Sequence, residues 1–538
     1  MYFLILHDII FTSFYTKASV ISLHLYFNQF KVKSVSHIKD LTSGNIFSQI
    51  LKLAIPIIAT SFVQMAYNMI DMAWLGNVGS ETVGAVGMAS YLVWLGSSLM
   101  YIPKIGAEVC ISQSIGRKNM NEATAFTRNA LGLSFILSIG FAILVWLFTG
   151  TIISLFQIES DFVNQTAFIY LRIVAIGMPF TYSNITLSGI YNGTGKTKTP
   201  FFVNAIGLIV NIIIDPILIF GWGAIPAMGA EGAAIATVSS QLLVFGIFIF
   251  LLKGKYQPLS TKHYLGKLQK QFLKPIVKIG GPVTLQSACF ALLAIVLARV
   301  MNDIAQGNSM PLSVQSIGSQ VEALSWMTAL GFSSALGTFT GQNYGAKRWD
   351  RIQKGFFVTL GIASVLGLIS TALFYFFGAE VFSLFIKQNE PAVLKMGIVY
   401  LIILSYSQVF MCVEITATGA FNGIGKAMPP SIIGIIGNLL RIPFAFIFAY
   451  SLVDILPLFQ EYLSHDSVPV TAVWWGLTLS SILKGSFLFL GFIIMLLRHP
   501  ENDHELPFQK KWISLLPNRL RQQAVIVSQI NTEEESEQ

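Results

Sequence analysis

The sequence predicts an all-α integral membrane protein, with twelve transmembrane helices in two six-helix lobes. Three observations predict it. Of 538 residues, 54% are hydrophobic and 11% charged, against about 25% charged in soluble domains. Too few polar residues remain to cover a soluble core of this size. A bilayer core of roughly 30 Å needs about 20 helical residues, and twelve apolar runs of that order follow one another. The chain also repeats its own motifs at an offset of 226–230 residues.

The twelve runs cover 48–75, 83–115, 123–148, 164–191, 200–221, 229–252, 272–301, 313–343, 353–378, 392–421, 430–452 and 470–497. They are continuously apolar, so a transmembrane barrel, with its alternating short strands, is excluded. The charges that separate them fall into two sets. After even-numbered spans come Arg117, Lys118 and Arg128; Lys196 and Lys198; Lys253, Lys255, Lys262, Lys267, Lys270 and Lys274; Lys347, Arg348, Arg351 and Lys354; Lys426; then Arg498, Lys510, Lys511, Arg519 and Arg521. After odd-numbered spans come Glu81; Glu159 and Asp161; Glu231; Asp303; Glu380, Lys387 and Glu390; Asp454, Glu461 and Asp466. The positive-inside rule places both termini and the long central loop in the cytoplasm. An even number of spans requires the same. The net charge of +8 is therefore explained without nucleic acid.

Five regions result: a 1–44 N-terminal extension, a 45–252 lobe, a 253–271 cytoplasmic linker, a 272–497 lobe and a 498–538 cytoplasmic tail. The extension is interrupted by His7, Asp8, Lys17 and His24 and lacks a basic n-region, so it reads as neither a signal peptide nor a strong span; disorder fits it better. Cys110, Cys289 and Cys412 sit singly in apolar stretches, which gives no disulfide framework and no zinc site.

The repeat is explicit. Ile190-Tyr-Asn-Gly-Thr-Gly-Lys196 through Pro200 returns as Ala420-Phe-Asn-Gly-Ile-Gly-Lys426 through Pro430. Leu53-Ala-Ile-Pro56 returns as Ile279-Gly-Gly-Pro282, and Ser114-Ile-Gly-Arg-Lys118 as Asn343-Tyr-Gly-Ala-Lys347. Six spans per half give both copies the same topology, related by an axis along the membrane normal, with a site expected between them. The run Gly193–Thr197 imitates a phosphate loop. That motif needs another Gly at position 190, which is Ile, and a preceding strand; a tight turn between spans is the better reading.

Ionisable groups at membrane depth are functional candidates because burying charge there is costly. Asp71 lies five residues before Gly76, and Asp215 six before Gly221, both on spans running outward. At about 1.5 Å per residue, both carboxyls stand roughly 8 Å below the outer helix ends. Tyr67 and Asn211 lie one turn below them on the same faces, and Thr237 on span 6 falls near that level. These oxygens suit a hard cation, and two carboxyls sharing such a site need a proton or a cation between them. Capping by Asp71 and a kink at Pro216 is the structural alternative. In the second half the matched positions are Leu297, Ala445 and Arg441, so the chemistry is one-sided. Glu414 reads as the only deep acid there. Lys104 and Glu108, four apart, are expected to pair. Arg172, Arg441 and Lys484 are expected to snorkel or pair, and Met65, Met69, Met72, Trp74, Tyr91 and Trp94 to line an adaptable apolar pocket.

With these residues assembled, the chain resembles the multidrug and toxic compound extrusion (MATE) family over about 45–500. The likeness rests on Asp71 followed by Trp74-Leu-Gly76, on Ser114-Ile-Gly-Arg-Lys118 and on the doubled Asn-Gly-x-Gly-Lys turn. Asn211-x-x-x-Asp215-Pro216 and Glu231-Gly-Ala-Ala-Ile-Ala-Thr237 complete it. The resemblance implies a V-shaped bundle in the bacterial inner membrane, a monomer and not an enzyme. It exports amphiphilic, cationic compounds in exchange for sodium ions or protons and carries no covalent cofactor; lipids and small-molecule substrates are its partners. In one branch the N-lobe cation site matches Asp71, Asn211, Asp215 and Thr237, with Tyr67 beside it. Other branches use an acid in span 7, where Thr284-Leu-Gln-Ser-Ala-Cys-Phe290 has none, and one in span 10, from which Glu414 is offset by about a turn. Glu414, Met65 and Gln286 are secondary candidates for the substrate pathway. A lipid-linked oligosaccharide or lipid flippase of the related superfamily is the alternative.

Overall fold

The computed structural model describes residues 38–154, 160–252, 267–305, 308, 310–384, 391–451 and 468–497. The expected extension as far as residue 37, most of the basic linker, the loops bearing Glu159, Lys387, Glu390, Asp454, Glu461 and Asp466, and the tail lie outside the described residues.

The first lobe comprises α1 (Ile46–Gly76), α2 (Ser80–Leu99), α3 (Tyr101–Gly116), α4 (Met120–Ser154), α5 (Asp161–Gly193), α6 (Lys198–Phe220) and α7 (Gly229–Leu252). The second comprises α8 (Lys270–Ile304), α9 (Met310–Gly345), α10 (Trp349–Phe376), the short α11 (Gly378–Ser383), α12 (Pro391–Ser405), α13 (Gln408–Gly423), α14 (Met428–Leu439), α15 (Arg441–Ser451) and α16 (Val468–Leu497). Among the described residues there is no strand beyond an isolated bridge between Trp222 and Ile225.

Among the described residues, ten helical stretches are long and apolar enough to cross a membrane, and the pair α12–α13, bent by 52°, makes an eleventh if it is one span. The 36-residue α9, at the place of the expected span 313–343, is long enough but does not reach that hydropathy. It is more polar than the rest because it packs against α1, α3, α12 and α13 and has little surface to offer lipid. Two further expected spans are broken rods. Pro103 and Pro443 cannot donate to the carbonyls four residues back, and the breaks fall just before them, at Met100 and Leu440.

The sequence repeat is a repeat of backbone turns. After α5 and α13, Gly195 and Gly425 take φ of 79° and 81°. Lys196 N–H reaches back to Tyr191 O, and Lys426 N–H to Phe421 O. Such left-handed residues close a helix and answer its last carbonyls. The Gly-Thr-Gly-Lys run is therefore a helix terminus. After α3 and α9, Lys118 and Lys347 take φ of 59° and 56° in a second matched turn.

Among the described residues, the apolar clusters shared by the two lobes lie on one side. On the side of the basic loops, the apolar clusters mix the two halves. One joins Ala107, Ile111 and Leu187 to Ile276, Ile279 and Ala427; the other joins Ile50, Leu53 and Ile57 of α1 to Phe332, Phe339 and Phe356. The far-side clusters draw on one half each: Leu75, Tyr170 and Ile219 in the first, Leu297, Tyr400 and Trp474 in the second. The seam is pseudo-symmetric. A Cβ on Gly116 would stand 2.0 Å from Gln342 O, and one on Gly345 the same 2.0 Å from Gln113 O. Backbones approach this closely only where side chains are absent.

Gly116→Ala and Gly345→Ala should each force the seam apart and lower the thermal unfolding midpoint of the detergent-solubilised protein. Gly361→Ala, where the new Cβ meets open space, should leave it unchanged or raise it slightly.

Candidate functional site

The first lobe gathers the five predicted residues into one cluster. Asp71 and Tyr67 come from α1, Asn211 and Asp215 from α6, and Thr237 from α7. Asp215 and Asn211 are wholly buried and Tyr67 nearly so. Thr237 Oγ1 donates to Asp71 Oδ2 (3.1 Å), Asn211 Nδ2 donates to Asp215 Oδ1 (2.9 Å), and Tyr67 OH donates to Gly207 O (3.0 Å). The last bond ties α1 to α6 below the carboxyls. The two carboxyl groups lie within one another's electrostatic field. Tyr170 of α5, buried within the field of both, belongs to the same surroundings, and sequence reasoning did not find it.

Three oxygens of this cluster have no donor: Asp71 Oδ1, Asn211 Oδ1 and Asp215 Oδ2 are all buried and unpartnered. No described ion pair involves either acid. Buried polar atoms are nearly always satisfied, and an unanswered buried carboxylate costs several kcal/mol. Three such oxygens from two helices make a donor set for a hard cation, or for a proton that would turn one carboxyl into a donor.

The second lobe answers its charges internally. Lys484 Nζ lies 3.0 Å from Glu414 Oε1 and donates to Asn438 Oδ1 (3.2 Å). Gln408 Nε2 donates to Glu322 Oε1 (3.2 Å), and Arg441 Nε to Ser480 Oγ (3.0 Å). Glu414 is therefore not the only deep acid of this half: Glu322, twelve residues into α9, is the second. Two acids face two bases here, so no added cation is needed.

Glu108 and Lys104 do not form the expected pair. The Glu108 carboxylate accepts from Ser334 and Thr338 across the seam, while Lys104 lies over the Tyr101 ring, 5.6 Å from its centroid. Arg172 is held between the Phe168 and Trp146 rings, at 4.2 and 4.6 Å. Met65 is half-buried on α1, and the Gln286 side chain lies against Gly434. Neither these two nor Glu414 joins the acid pair. Trp74 packs edge-on against Phe220 within its own lobe (6.0 Å), whereas Met69 and Trp94 are exposed.

A pseudo-symmetric helical bundle, joined on one side and carrying a one-sided acid pair at membrane depth, defines a membrane transporter. The MatE family model matches residues 56–217 and 282–447, one segment in each lobe, and the chain belongs to that family of transporters, not to an enzyme family. Among its relatives, the "Probable multidrug resistance protein NorM" of Thermotoga maritima is 26% identical over 405 residues, covering 74% of this chain and 85% of that protein. The "Probable multidrug resistance protein YoeA" of Bacillus subtilis is 25% identical over 427 residues (78% and 91%). An "FAD transporter" of Shewanella oneidensis is 24% identical over 416 residues (76% and 90%). A solved multidrug resistance MATE family transporter in an outward-facing conformation superposes with a TM-score of 0.75 at 24% identity, covering 86% of this chain and 98% of that one. That likeness is one of fold.

Lys484→Met should leave Glu414 buried and unpaired and destabilise the protein by roughly 3–5 kcal/mol. Adding Glu414→Gln should recover much of the loss. Thermal unfolding of the single and double variants in detergent measures both.

Proposed function

We propose that the protein is a secondary multidrug efflux antiporter. It exports amphiphilic, cationic compounds in exchange for sodium ions or protons by alternating access. The three unpartnered buried oxygens of Asp71, Asn211 and Asp215 carry this reading, and the names of its NorM and YoeA relatives support the substrate class. The basic-loop side is cytoplasmic by its charge bias, and the lobes part on the outer side.

The chemistry follows from electrostatics. Two neighbouring carboxyls in a low-dielectric site cannot both stay charged at low cost. A proton moving onto one oxygen, or a sodium ion held among Asp71, Asn211, Asp215 and Thr237, removes the repulsion and satisfies the orphaned acceptors. Asp71 and Tyr67 ride on the outer half of α1, whose inner half is packed into the core it shares with the second lobe. Pro56 lies within that inner half and omits one backbone hydrogen bond. Neutralising Asp71 lets the outer half of α1 repack against α6, which changes the cleft wall bearing Met65, Met69 and Trp94. Export requires that ion and drug each bind the inward and outward states with different affinity.

A flippase for anionic lipid-linked sugars would use a net positive central surface. Here Arg441 and Lys484 are matched by Glu322 and Glu414, so nothing favours that reading.

Asp71→Asn and Asp215→Asn, expressed at wild-type level in a pump-deficient strain, should each abolish drug resistance; full resistance in both would contradict the assignment. Drug efflux from proteoliposomes, driven separately by a sodium gradient and a pH gradient, identifies the coupling ion: the gradient that drives wild-type efflux should drive none in either variant.

A further inference from the structure

Residues 38–45, just ahead of α1, run across the basic side where the lobes meet. Their hold on the second lobe is extensive. Leu41 is wholly buried in the cluster built on Phe332, Phe339 and Phe356. Its N–H donates to Gln342 Oε1 (3.0 Å), and its carbonyl accepts from Asn343 Nδ2 (3.2 Å) and from an Arg351 Nη (3.1 Å). Arg351 is buried and spends its remaining donors on the same segment and its surroundings. It reaches Gly44 O (3.0 Å), Gln49 Oε1 (3.0 Å) and Asn343 Oδ1 (3.1 Å). Asp40 shapes the turn by accepting from Thr42 N–H (2.8 Å) and Thr42 Oγ1 (2.6 Å). The Asn45 side chain then caps α1 at Ser48 N–H (3.0 Å).

The hold on the first lobe is slighter. Ile38 packs, partly buried, against the mixed cluster that joins Ile111, Ile190 and Phe248 of the first lobe to Ile276 and Ile279 of the second. Lys39 lies against the Asn-Gly-Thr-Gly turn, where a Cβ on Gly195 would stand 3.1 Å from Lys39 Cβ. Two residues three apart thus enter the two apolar clusters that span the seam. Gln342, which orders the segment through its side chain, is also the residue whose carbonyl abuts Gly116.

We propose that residues 38–45 are an inner strap. It is anchored to the second lobe by Leu41 and Arg351, clasps the first lobe through Lys39 at the Gly195 turn, with Ile38 in the cluster that spans the seam, and must leave the first lobe whenever the basic side opens. The asymmetry decides which end lets go. Four hydrogen bonds from second-lobe side chains and a fully buried leucine hold one side, while a lysine stem and a partly buried isoleucine in the cluster that spans the seam hold the other. The Arg351 guanidinium, a rigid fork that cannot readily discard its proton, is suited to a permanent anchor. The strap therefore helps to set the balance between the closed and open inner side. It rests on the alternating-access reading but can be tested without transport.

In a background with Cys110, Cys289 and Cys412 replaced by serine, Ser112→Cys places a thiol in the seam, wholly buried and facing Gly341. Its rate of reaction with a membrane-impermeant maleimide in inside-out vesicles reports opening of the inner side. Ile38→Ser should raise that rate by about tenfold, with a monodisperse elution profile showing that the fold is kept. In a second arm Ser112→Cys is incorporated as a photocaged cysteine, Lys39→Cys and Lys196→Cys are joined by a short bis-maleimide, and light then releases the seam thiol. The staple should reduce the reaction to background, whereas unstapled protein should react at the parent rate. Faster labelling in the first arm and protection in the second support the strap. Unchanged rates in both arms, or full reactivity of stapled protein, overturn it. A failure of ion-driven efflux in proteoliposomes would instead count against the antiporter reading and would leave these labelling rates as they are.

Discussion

Two neighbouring carboxyl groups in one buried polar cluster, without a basic partner in any described ion pair, are the constraint on which the rest of this molecule turns. Asp215 is wholly buried on α6 and Asp71 faces it from α1, and between them they leave two oxygens with no donor. Such an arrangement is unfavourable in low dielectric unless something positive arrives. The site is therefore a structural demand for a small cation or a proton. The second lobe makes no such demand, because Glu322 and Glu414 are set among Arg441 and Lys484. The same six-helix plan thus holds two electrostatic arrangements: one half leaves carboxyl oxygens unanswered and the other sets its acids beside bases.

α1 links that site to the seam. Its outer half contributes Tyr67, Asp71 and Leu75 to the first lobe, while Ile50, Leu53, Ala54 and Ile57 belong to a core shared with the second. A helix packed into both lobes cannot change its contacts at one end without consequence for the other. The seam beneath it is made of glycines facing carbonyls and of the Glu108 carboxylate bonded to Ser334 and Thr338. Small residues and hydroxyls allow close contact that can separate without exposing a large apolar surface, as alternating access between the lobes requires.

Much of this is legible in the sequence, because bilayer physics leaves few options. Hydropathy and the repeat locate the crossings, and counting residues from the helix ends is enough to put Asp71 and Asp215 at one depth. What fails is reasoning along one helix at a time. Lys104 and Glu108 are good neighbours at i,i+4 on an isolated helix, but α9 supplies Glu108 with better partners. Glu322 escapes notice because α9 is polar along its length, so one more acid does not stand out. That polarity comes from the burial of α9 among other helices, which is a tertiary fact. The breaks at Met100 and Leu440 are within reach, since Pro103 and Pro443 mark them. The docking of Leu41 is not, because a single leucine in a polar segment carries no periodic signal.

The central claim is that the Asp71–Asp215 pair exchanges an ion for drug. Its most direct test is to measure, on purified protein in lightly buffered solution, the protons released and the radiolabelled sodium displaced per molecule of drug bound. The account predicts that wild type gives up one ion or the other on binding drug, and that Asp71→Asn/Asp215→Asn gives up neither while still binding drug. Undiminished ion release from the double variant would contradict it.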